Sequence, residues 1–174
     1  MSTMNKTQQK IAAALEHAFA ENGFTEIGVD GLRDATQVSL RTLYKYCPSR
    51  EEMIITALDY RHMRYMTHLF DDLPLNSEQA LDEIWGRVGT WMLENAANGC
   101  LFHGACASHP NSLAIRTMLE RHKMEVINKM VLITGLVSAR DQLMLLHEGI
   151  TQSWPLMHES AVKTATTFSR ALFS

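Results

Sequence analysis

The chain has 174 residues, a formal charge of −3, 46% hydrophobic residues and 20% charged residues. That balance excludes a disordered chain, and no apolar run approaches the roughly 20 residues a membrane-spanning helix needs. Three cysteines, at positions 47, 100 and 106, are too few for a disulfide framework. The polar stretch 1–10 is followed by no apolar core of a signal peptide, so a soluble, cytoplasmic protein without membrane attachment is expected.

Helical periodicity runs from end to end. Ile11, Leu15, Ala18 and Phe19 define a first helix over 6–21, closed by Asn22-Gly23. A second helix covers 29–36, with Val29, Leu32 and Ala35 on its inner side. Gln37-Val38-Ser39 forms a turn, and Ser39 caps a short third helix that must end before Pro48. Ser49 caps a fourth helix to about Phe70, with Glu51 and Glu52 in the first turn where the helix dipole favours acids. The segment 71–76 is a linker, and Ser77 opens a fifth helix to about Ala97. Further helices are expected over 101–108, over 112–134, from Ser138 or Asp141 to a break near Trp154-Pro155, and from Ser160 to Leu172. With no β-alternating run, the fold class is all-α with about nine helices. The domain reading is a three-helix head over 5–50 on a larger helical body over 51–174.

Charge is unevenly placed. Residues 1–50 carry six Lys/Arg and five Asp/Glu, and no acid occurs from Ala35 to Arg50. The third helix therefore offers a basic, hydroxyl-rich surface while Val38 and Leu43 point inward. This suits contact with DNA phosphates and base edges, and with the preceding helix and turn it reads as a helix-turn-helix. Arg41 can bind a guanine through two hydrogen bonds, and Thr42 can reach a phosphate or a thymine methyl. Ser39, Leu40, Arg41, Thr42, Tyr44, Lys45, Tyr46 and Arg50 are the candidate DNA-contacting residues.

The run Val38-Ser39-Leu40-Arg41-Thr42-Leu43-Tyr44-Lys45-Tyr46-Cys47-Pro48-Ser49-Arg50-Glu51-Glu52-Met53 resembles the pattern Val-Ser-x-x-Thr-Leu-Tyr-x-Tyr/His-Phe-x-Ser-Lys-Glu-x-Leu of the tetracycline-repressor (TetR) family of transcriptional regulators. Ala18 to Phe24, the segment 98–102 and the segment 146–149 are similar to family segments as well. The chain departs from the pattern at Arg33 (usually small), Gln37 (usually glycine), Cys47 (usually Phe) and Arg50 (usually Lys). The resemblance implies a head that binds a palindromic operator, phosphate contacts from Tyr44 and Arg50, a homodimer, and a body with a cavity for a small-molecule effector. It implies a repressor released by that effector and not an enzyme. The departures at Arg33 and Gln37 leave one alternative: a protein of the same fold that binds small molecules or partners and has lost DNA binding.

Within that frame Trp85, Trp91, Met92, Phe102, His103, Cys106, Met118 and His122 are candidate pocket residues, because thioethers and aromatic rings suit an adaptable apolar cavity. The expected effector is apolar and uncharged or weakly charged, since Arg121 is the only evident counter-charge. Cys100, His103, Cys106 and His109 recur at steps of three, but small buried cysteines and polar histidines explain them without a metal, and neither metal nor cofactor is expected. The last two helices carry more than one apolar side, and Leu143, Leu146, Ile150, Trp154, Val162, Ala165, Phe168 and Leu172 are the candidates for a four-helix dimer interface.

Overall fold

A computed structural model describes residues 4–173. Among them are nine α-helices, two short 3-10 segments and no strand: α1 (Lys6–Glu26), α2 (Val29–Thr36), α3 (Leu40–Tyr46), α4 (Arg50–Phe70), α5 (Ser77–Asn95), α6 (Leu101–Ser108), α7 (Leu113–Thr134), α8 (Arg140–Met157) and α9 (Glu159–Arg170). The chain packs as two compact units. The first comprises the chain up to Arg64 together with Leu101–Leu119, and the second comprises Tyr65–Cys100 and the chain from Glu120 onward. Packing thus divides the chain inside α4 instead of at its start, and assigns α6 and the first turns of α7 to the unit that holds the head.

In the first unit, α1 starts on a reciprocal cap: Asn5 Oδ1 accepts from the Gln8 amide, and Gln8 Oε1 accepts from the Asn5 amide, each at 2.9 Å. Its inner stripe Ile11, Leu15 and Phe19 is fully buried. Gly23, with φ +71°, breaks the helical path without ending it. One further turn, to Glu26, brings Phe24 back against Phe19 with ring centroids 4.9 Å apart. The expected stop at Asn22-Gly23 is therefore a kink, and burial of Phe24 is what holds the extra turn. Ser49 Oγ accepts the Glu52 amide at 3.1 Å, capping α4 as expected. Ser112 caps α7 through the Ile115 amide and also donates to Glu51 at the start of α4.

The interior of the first unit holds a charge cluster. Glu16, 4% exposed, accepts from Arg61 at 2.5 Å and from Arg64 at 2.6 Å. The side chains of Arg61 and Glu16 are only 3% and 6% exposed, so α1 and α4 are joined by an ion pair out of reach of bulk water, to which the part-exposed Arg64 adds a second guanidinium.

The second unit is built on a core from α4, α5, α7, α8 and α9 that includes Leu69, Ile84, Trp85, Val88, Ile127, Leu143, Ile150 and Trp154. Trp85 Nε1 donates to Ser169 Oγ at 3.0 Å, which satisfies the buried indole. At Gly89 a side chain is excluded by closeness: a Cβ there would lie 2.9 Å from Val162 Cγ2, so α9 approaches the α5 backbone directly. Ser77 opens α5 as expected, and Asn76 caps it by accepting the Gln79 amide at 3.0 Å. Arg87 closes the end of α4, donating to the carbonyls of His68 and Asp71 at 3.3 and 2.5 Å.

Pro155 does not break α8. It sits exposed in the last turn, where losing one amide donor costs little, and the buried Trp154 beside it keeps the turn in place. The reversal comes three residues later, at His158 (φ 47°), whose amide donates to the Trp154 carbonyl at 2.9 Å. Among the described residues no helix is long and apolar enough to cross a membrane.

Candidate nucleic-acid interface and effector site

The helix-turn-helix is set by backbone geometry. Gln37 adopts the left-handed conformation (φ 54°, ψ 34°) that the turn requires, and its amide donates to the Asp34 carbonyl at 3.2 Å. A non-glycine residue there costs on the order of 1 kcal/mol, which α2 and α3 absorb. Ser39 caps α3, its Oγ accepting from the Thr42 amide at 3.1 Å and lying 2.9 Å from the Thr42 hydroxyl. Leu43 is fully buried and anchors the helix.

The outer face of α3 is left to Arg41, Tyr44 and Lys45, all exposed, with Leu40, Thr42 and Tyr46 half-buried. Lys45 Nζ lies 5.6 Å from the Tyr46 ring centre. Among the described residues no carboxylate pairs with Arg41 or Lys45. Arg33 is held on α2 itself, with nitrogens 3.1 Å from Asp30 and 2.7 Å from Asp34, so the departure at that position is neutralised on its own helix. Ser39 and Thr42 are partly committed to each other, which limits them to contacts that leave the cap in place.

Arg50 is a correction. Its Nη2 donates to the Phe24 carbonyl at 2.5 Å, and its guanidinium lies 5.8 Å from the Phe19 ring centre. It braces the end of α1 and does not reach outward as a phosphate clamp. Cys47 is buried, its thiol directed at Thr56 Oγ1 at 3.5 Å. Burial raises its pKa, against the Thr56 hydrogen bond and with a smaller contribution from the Glu52 charge.

The second unit contains polar groups that periodicity did not single out. Tyr65 hydroxyl and His147 Nε2 are 2.8 Å apart, and His147 is fully buried. Lys123 Nζ lies 2.6 Å from Glu148 Oε1, with side-chain exposures of 7% and 25%. His122 is buried with its ring 5.3 Å from that of Tyr65, and the Trp91 indole meets Tyr65 edge-on at 5.1 Å. Burial would by itself raise the pKa of Glu148, but hydrogen bonding from His147 and the Lys123 charge together outweigh it and hold the carboxyl at about 2, below its ordinary 4.5. A signal for this cluster did exist. His147 falls on the stripe Leu143, Ile150, Trp154, and Lys123 on the stripe Val126, Ile127, Met130; a polar residue interrupting an apolar stripe marks a buried site.

That depressed pKa has a direct consequence. The Glu148 contribution is complete above pH 4.5 and is lost as pH falls toward 2, on the order of 3 kcal/mol in all. Urea unfolding at stepped pH is expected to show a steeper loss of stability below pH ~4.5 in the parent than in Glu148→Gln. Parallel acid profiles for the two would refute the assignment.

No protein-family sequence model matches the chain, and no curated protein sequence matches it significantly. Solved structures do match. A TetR-family transcriptional regulator from Streptomyces coelicolor superposes with a TM-score of 0.81 at 18% identity, covering 98% of this chain and 89% of that one. A TetR transcriptional regulator from Legionella pneumophila gives 0.76 at 14% identity, covering 98% of each chain. Salmonella enterica GusR gives 0.69 at 21% identity, covering 95% and 94%. The chain has the TetR fold.

On the TetR fold the other candidate residues separate by burial. In the first unit Phe102 and Met118 are buried, while His103 and Cys106 are half-buried, the Cys106 thiol 3.7 Å from the Ile115 carbonyl. In the second unit Trp85 is a core residue tied to Ser169 and not a pocket wall; Trp91, Met92 and His122 are buried beside the polar cluster or within the core. Among the described residues no group of three or more His, Cys, Asp or Glu side chains could hold a metal.

The dimer candidates need the clearest correction. Leu143, Ile150, Trp154 and Ala165 are buried within their own unit, and Leu146, Val162 and Leu172 pack partly against the same core. Of the eight, Phe168 alone is largely exposed, at 63%. The most exposed apolar residues of α8 are Leu145 at 72% and Leu156 at 87%, which periodicity had not ranked first. An apolar stripe shows that a helix buries one face, but not whether its own chain or a partner covers it.

Proposed function

We propose that the chain is a DNA-binding transcriptional regulator, a homodimeric repressor whose two heads read a palindromic operator and release it when a small molecule binds the body. The observation that carries this is the outer face of α3: Arg41, Tyr44 and Lys45 project from a helix held by the Gln37 turn and the Ser39 cap, with no carboxylate paired to its cations among the described residues. That face fits the major groove, with Arg41 reading a guanine edge and Lys45 and the tyrosine hydroxyls meeting phosphates. The resemblance to TetR-family regulators in the motif and in the fold supports the reading. The departures at Arg33 and Gln37 do not favour a head without DNA binding, since the first is paired on α2 and the second takes the required backbone conformation.

The test is a gel-shift titration against DNA flanking the gene. Arg41→Ala is expected to weaken binding by about 1–3 kcal/mol and to relax preference at one base position per half-site. Lys45→Ala is expected to weaken all sequences alike and to lower the salt dependence by about one phosphate contact per head. Unchanged binding by the double variant would overturn the DNA-reading role of α3.

A further inference from the structure

The polar cluster of the second unit is larger than an apolar core requires. Lys123 on α7 and Glu148 on α8 form a mostly buried ion pair, and Tyr65 of α4, His147 of α8 and His122 of α7 stand around it, with Trp91 of α5 against Tyr65. Buried ion pairs seldom stabilise a fold more than well-packed apolar residues would, so stability alone is a weak reason for this one. The sequence had offered Arg121 as the only counter-charge, but the structure places it 3.8 Å from Glu125 on its own helix. Lys123 is the buried cation of this cluster.

Resting on the reading of the chain as a ligand-responsive regulator, we infer that this cluster is the effector site and that the effector is an apolar molecule bearing a single carboxylate, which takes the place of Glu148 on Lys123. The two partners of the ion pair are not equivalent. Glu148 is 25% exposed and precedes Gly149, an exposed position of α8, so a rotamer change carries its carboxylate to water. Lys123, at 7%, stays inside. Replacing one carboxylate by another leaves the buried charge balanced, whereas a cationic ligand would have to compete with the tethered ammonium for Glu148. A neutral ligand would gain nothing from either charge. His147 Nδ1, 3.6 Å from Glu148 Oε1, faces the carboxylate position, and the Tyr65 hydroxyl, 2.8 Å from Nε2, fixes the orientation of that ring. Trp91 and His122 pack against Tyr65, which sets aromatic surface directly beside the polar groups. Because Glu148 bonds α8 to α7, its displacement changes how those helices are joined, which is the differential affinity an effector needs.

The experiment uses the full chain and three isosteric series: benzoate, 3-phenylpropanoate and octanoate, each beside its carboxamide and its primary amine. Thermal shift and calorimetry are read on the parent, on Lys123→Met and on Glu148→Gln. At least one carboxylate is expected to bind about tenfold or more tightly than its carboxamide, and its amine not at all. Lys123→Met is expected to abolish that preference. Glu148→Gln, which removes the internal competitor, is expected to strengthen carboxylate binding even though it lowers the melting temperature of the free protein. A purely structural ion pair predicts no such gain, so this variant decides the matter even if Lys123→Met does not fold. Equal binding of carboxylate and carboxamide, tighter binding of the amine, no binding by any series, or weaker carboxylate binding in Glu148→Gln would each overturn the inference. Operator binding by the unliganded chain, measured separately, distinguishes failure of this site from failure of the regulator reading.

Discussion

Arg61→Met is expected to destabilise the protein by about 3–5 kcal/mol. The arginine and Glu16 are 3% and 6% exposed at the side chain, so removing the guanidinium leaves a carboxylate in a poorly hydrated place. Arg64 still reaches Glu16 at 2.6 Å, but at 40% exposure it is screened by water and replaces only part of the loss. The pairing with Glu16→Gln separates lost charge compensation from lost packing. If the cost comes from the stranded carboxylate, the double variant Glu16→Gln/Arg61→Met should be more stable than Arg61→Met alone, with a coupling of about 1–3 kcal/mol. Chemical denaturation measures all four proteins. A loss below about 1 kcal/mol for Arg61→Met, or additive costs in the double variant, would show that the cluster is not an interdependent unit.

The second large effect concerns assembly. The inward residues of α8 and α9 are already used, so the proposed homodimer requires an interface on the outward side. Leu145 and Leu156 are eleven positions apart on α8, about three turns, and therefore share a face spanning roughly 16 Å. Gly149 lies between them and permits close approach, and Phe168 gives α9 an exposed aromatic ring. Leu156→Glu/Phe168→Glu is expected to convert a dimer to a monomer, because two like charges per chain would meet their symmetry mates across a two-fold interface. Operator affinity should then fall by about a hundredfold or more, since one head alone forfeits the effective concentration that the second half-site provides. Sedimentation of parent and variant reads the first expectation and gel shift the second. A parent chain that is monomeric at micromolar concentration would refute the dimer outright. Substituting Ile150, which the apolar stripe alone would have suggested, would unfold the second unit and report nothing about assembly.

Much of the fold was legible in the sequence because the cues were local. The bounds of α2 and α6 follow from punctuation by Gly28, Gln37, Gly99 and Pro110, and α3 follows from Ser39 and Pro48. The misplaced ends have tertiary causes. The α1 end depends on Phe24 finding Phe19, and the persistence of α8 through Pro155 depends on burial of Trp154. On the outer face of α3 the exposed residues Arg41, Tyr44 and Lys45 were readable as a patch without acids. Arg50 was misassigned because its partner, the Phe24 carbonyl, is 26 residues away in sequence. The buried cluster around Lys123 and Glu148 escaped for a different reason. Lys and Glu are seldom buried, so their type argues for solvent, although the stripes they interrupt carried the contrary signal.

Three ties between α4 and the rest of its unit share one geometric property. Arg50 bonds to the end of α1, Thr56 meets Cys47 beyond α3, and Arg61 and Arg64 hold Glu16 midway along α1. They are spread over fifteen residues of one continuous helix, a lever arm of about 20 Å. A helix bolted at one point could pivot; one bolted at three cannot turn or bend without shearing one of these bonds. Torque applied to α4 is therefore delivered whole, and α1, α2 and α3 rotate with it as a single rigid key. What such a unit can vary is the angle at which α3 is presented, not its shape.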